Sequence, residues 1–261
     1  MTKHIFIYIM VILAVLHSTP AEAQSGYKVR TVVIDPGHGG KDPGAIGKFS
    51  YEKDITLAIA KYLGGYIQKY CPDVKVIYTR TSDVFVPLDK RAEIANKAKA
   101  DLFISIHVNW EKSHKVSGAS TYVMGLHKNE DNLRVAMIEN QAILHEKGYK
   151  QKYDFDVNSP EAYIIFSLYQ NAYLDLSLDF AQLVQDQFRT RAGRKDNGVR
   201  QAGFLVLWQT TMPSVLIETG YISNPAEEKF LNSKYGQEII ASAIFRACRD
   251  FKKQFENGKQ R

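Results

Sequence analysis

Three polar residues stand where short apolar, β-branched runs of this sequence give out: His38 just past Val29 to Asp35, His107 at the end of Leu102 to Ile106, and Glu218 at the end of Ser214 to Ile217. In an open α/β sheet the loops and helix N-termini beyond the carboxyl ends of the strands face one crevice, and ligands bind there. Taken singly, each residue has an ordinary reading. A histidine after a strand is usually a hydrogen-bonded loop residue, and a terminal glutamate a helix cap. Taken together they form the donor set of a zinc centre, which uses histidines and carboxylates and, in enzymes, leaves one position for water. Glu52 is a further candidate, because Tyr51-Glu52-Lys53-Asp54 opens the helix that follows a glycine-rich loop. Its alternative role is a first-turn carboxylate favoured by the helix dipole. His114, His127 and His145 sit in polar or helical surroundings away from strand ends and read as solvated.

The elements that must position these residues alternate. Val29 to Asp35 reads as a buried strand emptying into Pro36-Gly37-His38-Gly39-Gly40. Apolar residues then recur from Ile55 through Ile59, Leu63 and Ile67 at amphipathic-helix spacing, and Pro72 ends the run. Val74 to Arg80 is expected as a strand, Pro87 to Ala98 as a helix with proline in its first turn, and Asp101 to Asn109 as a third strand. Ala119 to Met124 adds a strand, helical pattern follows at Asp131 to Lys147 and Ser159 to Phe188, and Phe204 to Trp208 and Ser214 to Thr219 resume strand character. Tyr235 to Phe255 closes as a helix. The β-α-β-α-β start predicts an α/β fold, a three-layer αβα sandwich whose mostly parallel or mixed sheet is flanked by helices and carries a helical insertion.

With 45% apolar and 24% charged residues, the 261-residue chain has ordinary globular usage and enough length to bury a full core. Lys3 and His4 precede an apolar run from Ile5 to Leu16, followed by small residues at Ala21 and Ala23. That is the pattern of a secretory signal peptide over residues 1–23, and the run falls short of the roughly 20 apolar residues a membrane anchor needs. No stable membrane anchor is expected, and the protein is expected to be periplasmic or secreted. In that setting the net charge of +6 does not call for nucleic acid. It suits anionic wall polymers or lipid head groups, or simply a solvated basic surface. Cys71 and Cys248 are compatible with one bridge or two buried thiols.

Several motifs in order resemble the zinc-dependent N-acetylmuramoyl-L-alanine amidases: Val33-Ile-Asp-Pro-Gly-His-Gly-Gly40 with Asp42-Pro-Gly44, Glu52-Lys53, Thr79-Arg80, Arg91 to Asn96, Ser105-Ile-His-Val-Asn109, and Val215 to Asn224. The resemblance covers essentially all of residues 24–261. It implies one catalytic domain in which His38, Glu52 and His107 bind Zn2+ and Glu218 is the essential carboxylate. The implied reaction is hydrolysis of the amide between N-acetylmuramic acid and the L-alanine of the peptidoglycan stem, in cell-wall turnover and daughter-cell separation. Arg80, Arg91 and Asn109 are assigned supporting, structural roles.

Simple members of the family pass more directly from the strand like Ala119 to Met124 into the helix like Ser177 to Phe188. The insertion here, residues 127–175, resembles that of cell-division amidases, in which a helix covers the site until an activator protein displaces it. Glu139 and Glu161 are the acidic residues that could reach an open metal position, and an extension of the substrate groove is the competing role for the segment. The rival functions are another zinc peptidase acting on wall stem peptides and a non-catalytic wall-binding domain.

Overall fold

A computed structural model of the chain describes residues 28–153, 156, 159 and 172–256. The expected signal peptide lies outside them, as does Glu161. The described strands are β1 (Thr31–Pro36), β2 (Lys75–Tyr78), β3 (Leu102–Asn109), β4 (Ala119–Met124), β5 (Asp196–Ala202) and β6 (Ser214–Tyr221). They form one sheet in the order β2-β1-β3-β6-β4-β5. Neighbours pair parallel except for β4 against β6, which run antiparallel, so the expected mixed αβα architecture is what the chain adopts.

The two central strands, β3 and β6, are buried along their whole length. Parallel strands covered on both faces should read as continuous apolar runs. Here only one face does. Leu102, Ile104, Ile106 and Val108 of β3 join the core formed with helices α1 (Glu52–Tyr70), α5 (Leu174–Arg191) and α8 (Lys234–Glu256). On the other face, successive side chains along β3 are Phe103, Ser105, His107 and Asn109. That face begins in a second core with Leu216, Tyr122 and Phe204, under α2 (Leu88–Lys97), α3 (Glu130–Asn140) and the short helix α6 (Leu205–Trp208), and turns polar toward the carboxyl ends. The register aligns the polar rows: Asp35 lies opposite Ser105, His107 opposite Glu218, and Glu218 opposite Ser120.

Some elements differ from expectation. Phe204 to Trp208 is not a strand. Leu205 to Trp208 is a helical turn, and short buried apolar runs have no period that separates strand from helix. Strand β5 was not foreseen, because Asp196-Asn-Gly-Val-Arg-Gln-Ala202 is a half-exposed edge strand with polar composition. The helix expected over Asp131 to Lys147 splits into α3 and a 3-10 turn, Gln141–His145, before α4 (Tyr149–Lys152). Helix α7 (Pro225–Leu231) is capped by Asn224 with proline in its first turn. Among the described residues no helix is long and apolar enough to cross a membrane. Cys71 and Cys248 are free thiols, and burial pushes that of Cys248 up.

Phe180 of α5 is completely buried and stacks edge-on against Phe251 of α8, 5.4 Å between centroids. Phe180→Ala should cost about 3–5 kcal/mol in urea unfolding. A loss under about 1 kcal/mol would show that this helical layer does not anchor the sheet.

Candidate metal centre

The loop after β1 delivers His38, and two arginines hold it. Arg91 of α2 donates from Nη1 to Asp35 Oδ1 and to the Pro36 carbonyl, each 2.8 Å, and from Nη2 to the His38 carbonyl, 2.8 Å. Arg80 donates to the carbonyls of Pro36, Gly37 and Lys53 at 3.0, 2.7 and 2.8 Å. Both side chains are buried, and apart from the Arg91–Asp35 pair and a contact from Arg80 to Thr56 Oγ1 their donors go mainly to backbone carbonyls. The clamp holds His38 at φ 60°, a left-handed conformation unusual for a residue with a Cβ. At Gly37 a Cβ would lie 2.6 Å from the His107 ring, so the backbone passes directly over the imidazole. At Gly44, φ +66°, a Cβ would lie 2.6 Å from Glu52 Oε2.

Glu52 is the first residue of α1, yet its carboxylate turns inward and is fully buried. Oε2 accepts from the Ala45 amide and Oε1 from the Val108 amide, both at 2.8 Å. His38 presents Nε2 toward Glu52 Oε2 at 3.1 Å, while its Nδ1 lies 2.9 Å from Asp42 Oδ2. His107 presents Nδ1 toward Glu52 Oε1 at 3.1 Å, and its Nε2 lies 3.1 Å from Ser105 Oγ.

A fourth group completes the cluster. Glu139, in the last turn of α3, brings Oε2 to 2.7 Å from His107 Nδ1 and 3.2 Å from His38 Nε2. One ligand atom from each of His38, Glu52, His107 and Glu139 lies within 4.8 Å of the others, and all four residues are buried. His38 Nε2 and Glu139 Oε2 have no hydrogen-bond partner although each is surrounded by polar atoms. Buried nitrogen and carboxylate oxygen atoms converging on one point are what a metal ion satisfies.

Glu218 stands beside this set, fully buried, with neither carboxylate oxygen hydrogen-bonded. Burial, then the charges of Glu139 and Glu52, pushes its carboxyl well above the ordinary range, against the lowering pull of His107 and His38. Glu52 moves the other way: burial opposes ionisation, but His38 and His107 hold its carboxyl well below the usual range. Burial pulls His107 down, and Glu139 and Glu52 more than reverse that, leaving it pushed up to about 10. His38 is likewise raised well above its ordinary value by Glu52, Asp42 and Glu139 despite burial.

The structure thus brings together His38, Glu52, His107 and Glu218, and adds Glu139 from the two insertion candidates. Asn109 is buried with Nδ2 unpartnered, while its carbonyl accepts from Ile222. His114 is exposed and bonds the Ser223 carbonyl, and His127 is half-buried; neither joins the cluster. His145 approaches Asp42 at 3.8 Å from the 3-10 turn. Asp42, Asp35 and Ser105 had no assigned role from sequence, although all three lie inside the quoted motifs. A groove of about 580 Å³ opens beside the cluster, walled by Ile46, Trp110, Ile138 and Leu144 with His38 and Glu139 at its floor.

The sequence profile of the N-acetylmuramoyl-L-alanine amidases matches residues 32–250. The N-acetylmuramoyl-L-alanine amidase AmiA of Escherichia coli K12 is 35% identical over 244 residues, spanning 93% of this chain and 83% of AmiA. The crystal structure of an N-acetylmuramoyl-L-alanine amidase from Clostridium difficile 630 superposes with a TM-score of 0.64 at 30% identity, covering 86% of this chain and 97% of that one. The CwlD amidase from Clostridioides difficile, solved in complex with the GerS lipoprotein, superposes at 0.62 with 26% identity over 85% of this chain and 98% of its own. With its fold, its His-Glu-His group and its adjacent buried glutamate all placed by those motifs, the chain belongs to the N-acetylmuramoyl-L-alanine amidase family.

Proposed function

We propose that this chain is an exported, zinc-dependent peptidoglycan amidase that is held closed by its own helix α3. The family fixes the bond: the amide between the lactyl carbonyl of N-acetylmuramic acid and the L-alanine of the stem peptide, hydrolysed in wall turnover and cell separation. His38, Glu52 and His107 would hold zinc, a borderline ion suited to nitrogen and carboxylate donors. When bound, zinc supplies Lewis acidity toward the scissile carbonyl and lowers the pKa of its water to near 7.

The protein's part in the reaction is proton handling and exclusion of water. Glu218, with both oxygens unpartnered, is the base that removes the proton from attacking water and the acid that passes it to the departing alanine amine. Asp42, accepting from His38 Nδ1, orients that imidazole.

The observation that carries the closed state is Glu139. A catalytic zinc site needs an open position, and here a second carboxylate, the fourth group of the cluster, fills the space between both histidines. The helix bearing it is secured by polar contacts: Asn140 donates to the Gly203 carbonyl at 2.8 Å and accepts from the Leu205 amide at 2.9 Å, and Arg134 pairs with Glu111. Beyond the 3-10 turn, buried Glu146 accepts from the Leu88 amide at 2.9 Å and from Lys152 at 2.6 Å. Turnover then requires a partner that displaces α3, and the CwlD amidase in complex with the GerS lipoprotein is a related fold that binds another protein. The amino-terminal pattern of residues 1–23 supports export to the wall.

Two measurements test this reading. Glu218→Gln should lower release of L-alanine-terminated stem peptides from purified sacculi by on the order of 10²–10⁴-fold with zinc content unchanged. Release of shorter peptides, or survival of activity in that variant, would defeat the amidase assignment. Glu139→Ala should raise partner-free hydrolysis of sacculi by about 10–100-fold, the factor expected for removing roughly 1.4–2.7 kcal/mol of preference for the closed state. Unchanged or lower activity would show that α3 extends the substrate groove instead.

A further inference from the structure

Asp35 takes no part in the chemistry above, yet it is the most completely satisfied buried charge near the site. Oδ1 accepts from Arg91 Nη1 at 2.8 Å and from Thr79 Oγ1 at 2.5 Å, and Oδ2 accepts from Ser105 Oγ at 2.7 Å. The residue is 0% exposed. A carboxylate surrounded by three donors is an acceptor only, so the single hydroxyl hydrogen of Ser105 is committed to it. The other polar atom at Ser105 Oγ is His107 Nε2, 3.1 Å away. With its hydrogen spent, Oγ can only accept there, so His107 Nε2 must carry a hydrogen. In the neutral imidazole that metal binding requires, the lone pair is then on Nδ1, the nitrogen that faces Glu52 and Glu139.

His38 is arranged in the opposite sense. Its Nδ1 meets Asp42, which leaves Nε2 facing Glu52 and Glu139. The two histidines thus offer opposite ring nitrogens to one point, each fixed by a carboxylate, directly for His38 and through a serine for His107.

We infer that Asp35 and Ser105 form a relay that sets the tautomer of His107 and selects Nδ1 as its metal-binding atom, with Arg91 and Thr79 holding the Asp35 carboxylate in place. Asp35 and Ser105 are positioning residues: they touch neither metal nor substrate and act through the imidazole. The relay also explains why a strand otherwise built from Leu, Phe, Ile and Val carries a buried serine two residues before its histidine. The inference rests on the zinc reading proposed above. Loss of such a partner weakens metal binding by about 10–100-fold.

The test uses the full chain and Ser105→Ala, a variant that leaves the Asp35–Arg91 pair in place, with Ser105→Thr as the variant that keeps the hydroxyl. Zinc affinity is read by competition with a chromophoric chelator, and thermal unfolding of the metal-free proteins monitors folding. The expected result is zinc binding about 10–100-fold weaker in Ser105→Ala, largely restored in Ser105→Thr, with closely similar metal-free unfolding for both. Long-range 1H–15N correlation spectra of the zinc-loaded parent should show the metal on Nδ1 of His107 and on Nε2 of His38. Equal affinity in Ser105→Ala, equal weakening in both variants, or a metal on Nε2 of His107 overturns the relay alone. A parent chain that takes up no zinc overturns the zinc reading and the relay with it.

Discussion

Arg91 reaches from α2 beneath the loop that follows β1, 2% exposed, and every contact it makes there is to Asp35 or to a backbone carbonyl. Two charges out of water repay their desolvation only when geometry and additional hydrogen bonds are complete, and removing one partner of such a pair typically costs about 3–5 kcal/mol. Here the pair is complete. Asp35 has Thr79 and Ser105 as further donors, and Arg91 first and then these two hydroxyls hold its carboxyl below the ordinary range although burial alone would raise it. Because the same guanidinium also binds the carbonyls of Pro36 and His38, the sheet, the second helical layer and the ligand-bearing loop are joined at one point. The strained φ of His38 persists because that point over-determines it.

The site gathers more negative charge than its own cations can neutralise. Glu52, Glu139 and Glu218 lie together with only His38 and His107 among them, and Arg80 and Arg91 are committed to backbone and to Asp35. Carboxylates so close cannot all ionise in a low-dielectric pocket unless a cation joins them. The directions of the shifts express that imbalance: both imidazoles are driven toward their protonated forms, and Glu218, the carboxyl without a hydrogen-bond donor, is driven toward its neutral form. A divalent ion among His38, Glu52, His107 and Glu139 would replace those protons, so metal uptake and proton release are linked.

The strand-end rule was enough to bring His38, His107 and Glu218 to one rim, because each apolar run is long enough to be recognised and its carboxyl end is therefore known. Glu52 was less legible, since a glutamate opening a helix has an ordinary role there; what marks it is that both oxygens face inward onto the Ala45 and Val108 amides. Nothing in sequence period separates Glu139 from Glu161, because helical spacing shows which residues share a face but not what that face meets. Phe204 to Trp208 was misread for a related reason: five apolar residues fit a strand or a buried turn, and the Asn140 side chain at the Leu205 amide meets its first helical residue. Asp35 and Ser105 sat in plain view within motifs, but their importance lies in a chain of hydrogen bonds between adjacent strands, which only register reveals.

The closure proposed for α3 has to meet two opposed demands, to fill the metal position fully and to remain removable. The carboxylate meets the first demand, since it sits at ligand distance from both histidines. The second is met by how the helix is attached. Within α3, Val135 and Ala136 are its buried apolar residues, while Ile138 and, in the following turn, Leu144 stay 36% and 44% exposed. Leu133 and Met137 pack half-buried against the second core, and Ala142 and Ile143 of the following turn are buried in it, so the apolar attachment is one short stripe whose contribution scales with that area. Beside that stripe the attachment is polar, at Asn140, Arg134 and Glu146, and such groups exchange protein partners for water at small net cost once they are exposed. With much of its attachment polar, the helix can leave while the sheet and the larger part of the second apolar cluster stay anchored by Phe103, Tyr122, Phe204 and Leu216.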